Sequence, residues 1–309
     1  MRRMLVVLPV WIAVATVVFF LLRIIPGDPV TVLLGTETTA QQYEDLRVQL
    51  GLDRPIHLQF LEWMSHVVVG DLGSSLFSKR PVTAMILERL PCSLQLAGLA
   101  TLISTGIALP SGIISAVRRD TVWDQGFLAV ALFAICVPSF WLALLFILLF
   151  SVRLDWLPVR GYKPMSEGVL TWLKYMSLPA LSYGLITAAE LARMTRASMI
   201  EQLDEDYIRT ARSKGLSERA IRYRHALKNA MIPIITVIGT NLGVLLTGTV
   251  VIEYIFGIPG IGSLVVDSIR NRDYPVVQGV ILTVATIYVL INLVVDITYG
   301  FFDPRIRYD

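Results

Sequence analysis

Six apolar stretches, at about 4–25, 94–117, 127–151, 177–200, 230–252 and 277–299, dictate what this chain can fold into. Each reaches the length of about 20 residues that an α-helix needs to cross roughly 30 Å of hydrocarbon. Inside a bilayer the backbone must satisfy its own hydrogen bonds, so such runs become helices. The expected fold class is an all-α polytopic membrane protein with six transmembrane helices. Composition agrees, because 55% of the 309 residues are hydrophobic and 17% are charged, against about 25 % charge in soluble domains. The net charge of +3 is small and its positive part is concentrated in one loop. That balance points to the lipid bilayer as a partner and to no nucleic acid. Cys92 lies at the edge of an apolar run and Cys136 inside one, so no disulfide framework is expected.

The expected organisation is a first transmembrane helix at 1–25, an extracytoplasmic segment at 26–93 and a five-helix core at 94–309. Met1-Arg2-Arg3 followed by an apolar run resembles a secretory signal, but the run is too long for one and lacks a small-residue cleavage site. It reads as an uncleaved span, with Arg23 snorkelling to the interface. An even number of spans puts both termini on one side. Arg2-Arg3, Arg118-Arg119, the basic loop after 200, Arg305 and Arg307 share that side, which the positive-inside rule makes cytoplasmic. Arg153, Arg160, Lys163 and Lys174 on the other side weaken the asymmetry.

Within 26–93, Pro26-Gly27-Asp28-Pro29 stops the first helix. Thr39 to Leu50 reads as an amphipathic helix ended by Gly51, and His57 to Val69 as another with Leu58, Leu61 and Trp63 near its buried side. Gly70-Asp71-Leu72-Gly73 closes it. His57 and His66 read as solvated or capping side chains rather than a metal pair. Such a segment is large enough for a helical cap and too small for an independent enzyme domain.

A charged island, Asp204 to Lys228, interrupts the apolar second half. It forms a cytoplasmic loop at 201–229. Seven basic residues (Arg209, Arg212, Lys214, Arg219, Arg222, Arg224, Lys228) face four acids (Asp204, Glu205, Asp206, Glu218). The pattern predicts two short helices hinged at a glycine. Asp204 to Asp206 suit a helix start. Tyr207, Ile208, Ala211 and Lys214 give one side partial apolarity, and Gly215 suits the left-handed position after a helix. Ser217 can cap the next helix, which carries Ala220, Ile221 and Leu227 on one face.

Other features are less specific. Pro110, Gly112 and Pro138 fall inside expected spans, where proline kinks the axis. Glu190, Arg193 and Arg196 recur at three-residue spacing, so they lie along one helix face and must pair or face water. Glu190 with Arg193 is the local pair. Together with Asp296, near the cytoplasmic end of the last span, these are candidate gate or inter-subunit residues. The run Gly257 to Gly262 lacks the Lys-Ser/Thr of a phosphate loop and reads as a bend feeding a short helix, Ser263 to Arg270. The chain has three histidines and none of the motifs GxxxxGK[ST], HExxH, CxxC or GxSxG. No catalytic, cofactor-binding or metal-binding residue is therefore expected, and energy must come from elsewhere. A stand-alone ion-coupled secondary transporter is the alternative. Glu190 and Asp296 would be its coupling carboxylates, and inverted repeats would be its signature.

The island and its flanks resemble the permease subunits of ATP-binding-cassette importers of the oligopeptide/dipeptide/nickel branch. The residues that carry the resemblance are Asp206 to Ser217 and Arg224 to Ala230. Pro26 to Pro29, Leu50-Gly51-Leu52, Gly70 to Gly73, Pro259 to Gly262, Arg272 to Gln278 and Asp303-Pro304-Arg305 support them. The general importer loop reads Glu-Ala-Ala, three residues, Gly, nine residues, Ile-x-Leu-Pro. Here Arg209-Thr210 precede Ala211, and His225-Ala226-Leu227-Lys228 replace the second element, as in the peptide branch. The resemblance implies a type I importer permease: a non-catalytic translocation subunit for di- or oligopeptides or similar small solutes. It would reside in a bacterial or archaeal cytoplasmic membrane. It implies that Asp206, Tyr207, Arg209, Thr210, Ala211, Lys214, Gly215, Leu216, Ser217, Arg224 and His225 form a coupling loop docking on an ATPase. Partners would be a second permease, one or two cytoplasmic ATPases carrying ATP and Mg, and an extracytoplasmic substrate-binding protein. This chain itself would bind no cofactor.

Overall fold

The computed structural model describes the backbone of residues 2–24, 29–34 and 39–302. Side chains are described for these except 2–8, 10, 29, 32, 245–248, 296 and 299–302. The sequence readings on Pro26-Gly27-Asp28, Asp303 to Arg305 and Arg307 lie outside the described residues. The described chain is helical throughout, and its one β-feature is an isolated antiparallel bridge between Ser74 and Pro81.

In chain order the helices are α1 (Arg2–Ile24), α2 (Pro29–Leu34), α3 (Ala40–Gln49), α4 (Ile56–Val68) and α5 (Val82–Val117). Then come α6 (Val122–Cys136), α7 (Ser139–Phe146) and α8 (Val169–Leu203). The remainder are α9 (Asp206–Ser213), α10 (Glu218–Ala220), α11 (Leu227–Gly248), α12 (Val250–Phe256), α13 (Ile261–Arg270) and α14 (Tyr274–Phe302). A π-helical turn, Ile147–Arg153, extends α7, and another, Ile221–Ala226, joins α10 to α11. At 36 residues, α5 is about 54 Å long, well beyond a hydrocarbon core of roughly 30 Å. It begins at Val82, inside the stretch expected to precede the second span.

Three described helices are long and apolar enough to cross a membrane: Val82–Val117, Glu218–Val244 and Tyr274–Val295. Counting each of two broken helix pairs as one span raises the number to five. The expected third span is one of these pairs: α6 and the helix Ser139–Arg153 are bent by 100°. The cause is local, since the residue before a proline avoids the helical region. Val137 is extended at φ −84° and ψ 123°, and Pro138 starts α7. The expected fourth span, α8, is not apolar enough to count as a span by composition, because Glu190, Arg193 and Arg196 interrupt its run and Lys174 precedes it. A helix packed on several others is not held to a lipid-facing composition, and α8 buries residues along its whole length, from Trp172 to Met199.

Contacts divide the chain into two compact units, one of Met1–Cys92 with Pro259–Val289 and one of Ser93–Ile258 with Leu290–Asp309. In the first, α4 packs on α1 through an aromatic cluster of Phe19, Phe20, Phe60 and Trp63. Phe60, Trp63, Met64 and Val67 make the inward face by their spacing of three, one and three. Leu58 and Leu61, expected near the buried side, are exposed. The α3 helix starts with the capping box of Thr39 and Gln42 and stops at Gly51, whose φ is +65°. Asp273 is buried and accepts from Ser75 Oγ at 2.5 Å and Leu76 N at 3.1 Å, clasping the 74–78 turn to the start of α14. His66 Nδ1 lies 3.3 Å from Asp71 Oδ2.

In the second unit, α6, α7 and α11 all pack on α8. The α5 and α8 backbones approach closely, because a Cβ at Gly112 would lie 2.7 Å from Ala192 O and one at Gly184 2.9 Å from Ala100 O. Small residues at such crossings are how membrane helices gain packing without a hydrophobic driving force. The core there runs from Ala108, Ile113 and Ala116 through Ala188, Leu191 and Met199 to Ile208, Ile221, Ala226 and Ile234.

Candidate functional site: the basic helix–glycine–helix module

The module grows from the end of α8. Asp204 caps that helix with its N–H on Ile200 O, and its carboxylate pairs with Arg119 at 3.3 Å. Glu205 is extended (φ −70°, ψ 149°) and turns the chain into α9, with Asp206 in the first turn. Ile208 and Ala211, three apart, are both buried against Ile221 and Ala226 of the following segment. Gly215 has φ +76°. Its N–H donates to Arg212 O at 2.9 Å, and Leu216 N–H donates to Ala211 O at 3.3 Å. This is the two-bond arrangement that a left-handed residue after a helix allows. Ser217 Oγ then accepts from Ala220 N at 3.3 Å and starts the next helix. Glu218 ties the two arms together, pairing with Arg212 at 3.0 Å and Arg222 at 3.7 Å.

The glycine hinge and the serine cap are thus as the pattern predicts, whereas of the expected apolar side only Ile208, Ala211 and Ile221 are buried, Ala220 and Leu227 are half-buried, and Tyr207 and Lys214 are exposed. The second arm is not short: it runs unbroken from Glu218 to Val244. Asp206, Tyr207, Arg209, Thr210, Lys214, Gly215, Leu216, Ser217 and Arg224 are exposed, and His225 is partly buried. Ala211 differs from this group, because its side chain faces the unit's own core and is 7% exposed. Several exposed side chains are held by local bonds. Tyr207 Oη donates to Gln202 Oε1 at 2.8 Å, Arg209 reaches Asp206 at 3.3 Å and Thr210 Oγ1 donates to Asp206 O at 3.0 Å.

The three charges of α8 separate. Arg196 makes a bidentate pair with Asp124, Nε to Oδ1 at 2.7 Å and Nη2 to Oδ2 at 2.6 Å. Ser115 Oγ and Asp120 N also donate to that carboxylate, so α5, α6 and α8 meet at one buried acid. Sequence reading missed Asp124, because an acid in the first turn of a helix is accounted for locally. Glu190 and Arg193 are both exposed and form no ion pair with each other, contrary to the local pairing expected. Arg193 instead lines an apolar cleft of about 490 Å³ together with residues of α5 to α8. The side chain of Asp296, on α14, lies outside the described residues. Glu253, like Asp124 and Asp273, is a buried carboxylate not read from the sequence. It accepts from Ser93 Oγ at 2.6 Å and Thr249 Oγ1 at 3.2 Å. Among the described residues no His, Cys, Asp and Glu cluster could hold a metal.

Residues 108–308 match the profile of the family described as binding-protein-dependent transport system inner membrane component. Residues 1–97 match the profile of the N-terminal region of such membrane components. Full-length similarity extends to the glutathione transport system permease protein GsiC of Escherichia coli, at 42% identity over 99% of this chain and 98% of that one. The di/tripeptide transport system permease protein DppB of Pseudomonas aeruginosa is 40% identical over 99% and 98%. Among solved structures, a chain of the MetNI methionine ABC transporter in inward-facing conformations superposes with a TM-score of 0.58. It is 14% identical and covers 72% of this chain and 97% of its own length. That likeness is one of fold.

Proposed function

Because the chain belongs to the family of binding-protein-dependent transport system inner membrane components, we propose that it is the translocation subunit of an ATP-driven importer for short peptides, glutathione or similar small solutes. The observation that carries the reading is the module's two-sided construction. Its inner face, Ile208, Ala211, Ile221 and Ala226, is sealed into the core formed with α8 and α11. Its outer face offers Tyr207, Arg209, Lys214 and Leu216 to a partner. A knob locked to two long helices passes a push as a rigid-body movement rather than absorbing it. In this reading the knob docks on a cytoplasmic ATPase that carries ATP and Mg. Closure of two ATPases then shifts the permease pair between inward- and outward-facing states, a population shift biased by ATP-dependent contacts.

The same reading supplies six spans, α1, α5, the bent pair α6 and α7, α8, α11 and α14, with the second bent pair, α12 and α13, not crossing, and both termini on the cytoplasmic side of a bacterial or archaeal inner membrane. The helical segment between the first two spans faces outward, toward a substrate-binding protein. Glu190 and Arg193 face a second permease or the passage between the two, since exposed charges on a spanning helix are costly against lipid. The relatives' names for di/tripeptide and glutathione transport support the solute class.

Co-purification tests the proposal. The tagged chain, extracted in mild detergent, is expected to carry an ATPase and a second permease. Leu216→Asp, at an exposed position, is expected to lose the ATPase and keep the permease. Recovery of the chain alone, active in solute uptake, would overturn the assignment.

A further inference from the structure

The first unit contains a cleft of about 320 Å³ between the segment after α3, α4 and the start of α14. Arg23 and Gln278 lie at its polar part, and Trp63, Leu76 and Pro275 are among its apolar walls. The Arg23 guanidinium sits 3.5 Å from the centroid of the buried Phe19 ring, which fixes its plane. It donates to Gln59 Oε1 at 2.9 and 3.2 Å and to Phe19 O at 3.2 Å. Those bonds use three of the five N–H groups that a guanidinium offers, and none goes to a carboxylate among the described residues. The amide of Gln59 is consumed, because its Nε2 donates to Arg54 O at 2.8 Å. Arg54 and Glu62 neutralise one another at 3.1 Å. Among the described residues lining the cleft, what remains is one positive charge and one orphan: Gln278 is 4% exposed, and its Nε2 has no hydrogen-bond partner among them. Such a group costs free energy until an acceptor arrives.

Unused donors, a net positive charge and aromatic or aliphatic walls define one ligand chemistry. We infer that this cleft binds the carboxylate of a small organic solute, such as the C terminus of a short peptide. The apolar walls take the body of the solute and the guanidinium takes its charge, a division usual in small-molecule sites. The inference rests on the proposed function only for how solute arrives, from the outer face.

The test is a fluorescence titration of the purified full chain in nanodiscs, with no ATPase present. Trp63 is the reporter, and Trp63→Phe identifies its share of the signal. Trialanine is expected to produce a saturable change. Its C-terminal amide and inorganic phosphate are expected to bind at least tenfold more weakly. Arg23→Gln and Gln278→Leu are each expected to weaken trialanine at least tenfold. Gln278→Leu keeps the volume and removes an unpaired amide, so it is the variant expected to fold without loss. No saturable change in the unsubstituted chain would overturn the inference and leave only a water on Gln278. Equal titration by the amide or by phosphate would overturn the organic-carboxylate assignment. Unchanged binding in the folded Gln278→Leu chain would remove that side chain from the site and overturn it as well. None of these failures bears on ATPase co-purification, which reads the other unit.

Discussion

At Asp124 a carboxylate that is 1% exposed receives two bonds from Arg196, one from the Ser115 hydroxyl and one from the Asp120 N–H. A buried pair of this kind adds little over a well-packed apolar substitute, yet removing one member leaves the other charge uncompensated. Asp124→Ala is therefore expected to cost about 3 kcal/mol and to lower the unfolding temperature by several degrees. An unchanged melting curve would mean that Arg196 finds water instead. Glu190→Gln, on the same helix as Arg196, is expected to change the stability of the isolated chain by less than about 0.5 kcal/mol, because Glu190 is exposed and not paired to Arg193. The contrast could not be read from spacing. Three charges three residues apart look alike in sequence, and the partner of Arg196 lies 72 residues away.

At the level of elements, the module depends on one backbone conformation. Nothing lies within 4 Å of where a Cβ on Gly215 would sit, so φ +76° alone restricts that position. Asparagine tolerates the left-handed region at a cost of about 1 kcal/mol. Proline cannot, because its φ is fixed near −65° and it loses the N–H that bonds Arg212 O. Gly215→Asn is expected to keep ATPase co-purification and Gly215→Pro to abolish it, with both chains still inserted in membranes. Normal co-purification by Gly215→Pro would show that the hinge does not set the knob's shape. The break between α6 and α7 follows the same logic, with one proline converting an expected straight span into two helices at 100°. There the cause was legible in the sequence and its size was not.

For the whole molecule, the charged positions 190 and 193 are exposed on a helix that buries residues from Trp172 to Met199. In the assembled importer they are expected to be covered. Glu190→Cys and Arg193→Cys are predicted to react with a water-soluble maleimide in the isolated chain and to be protected once the second permease is bound. Equal reactivity in both states would sink the inter-subunit placement. The exposed apolar side chains along α6, α7 and its π-helical extension, from Trp123 to Val152, belong to the same scale. They are an aggregation liability in water and unremarkable against lipid.

The sequence by itself determined that this chain is helical and membrane-bound, where its glycine hinge and serine cap fall, and which family it resembles. These are properties of short windows: the length of an apolar run, the φ that only glycine takes freely, the carboxylates that a helix start favours. Tertiary structure decided which face of α4 is buried, that Ala211 packs inward instead of toward a partner, and that Arg196 answers to Asp124. It also left Nε2 of the buried Gln278 without a partner among the described residues, beside a cleft. Each of these depends on what stands opposite a side chain, and packing distant helices together fixes that through distances no local pattern encodes.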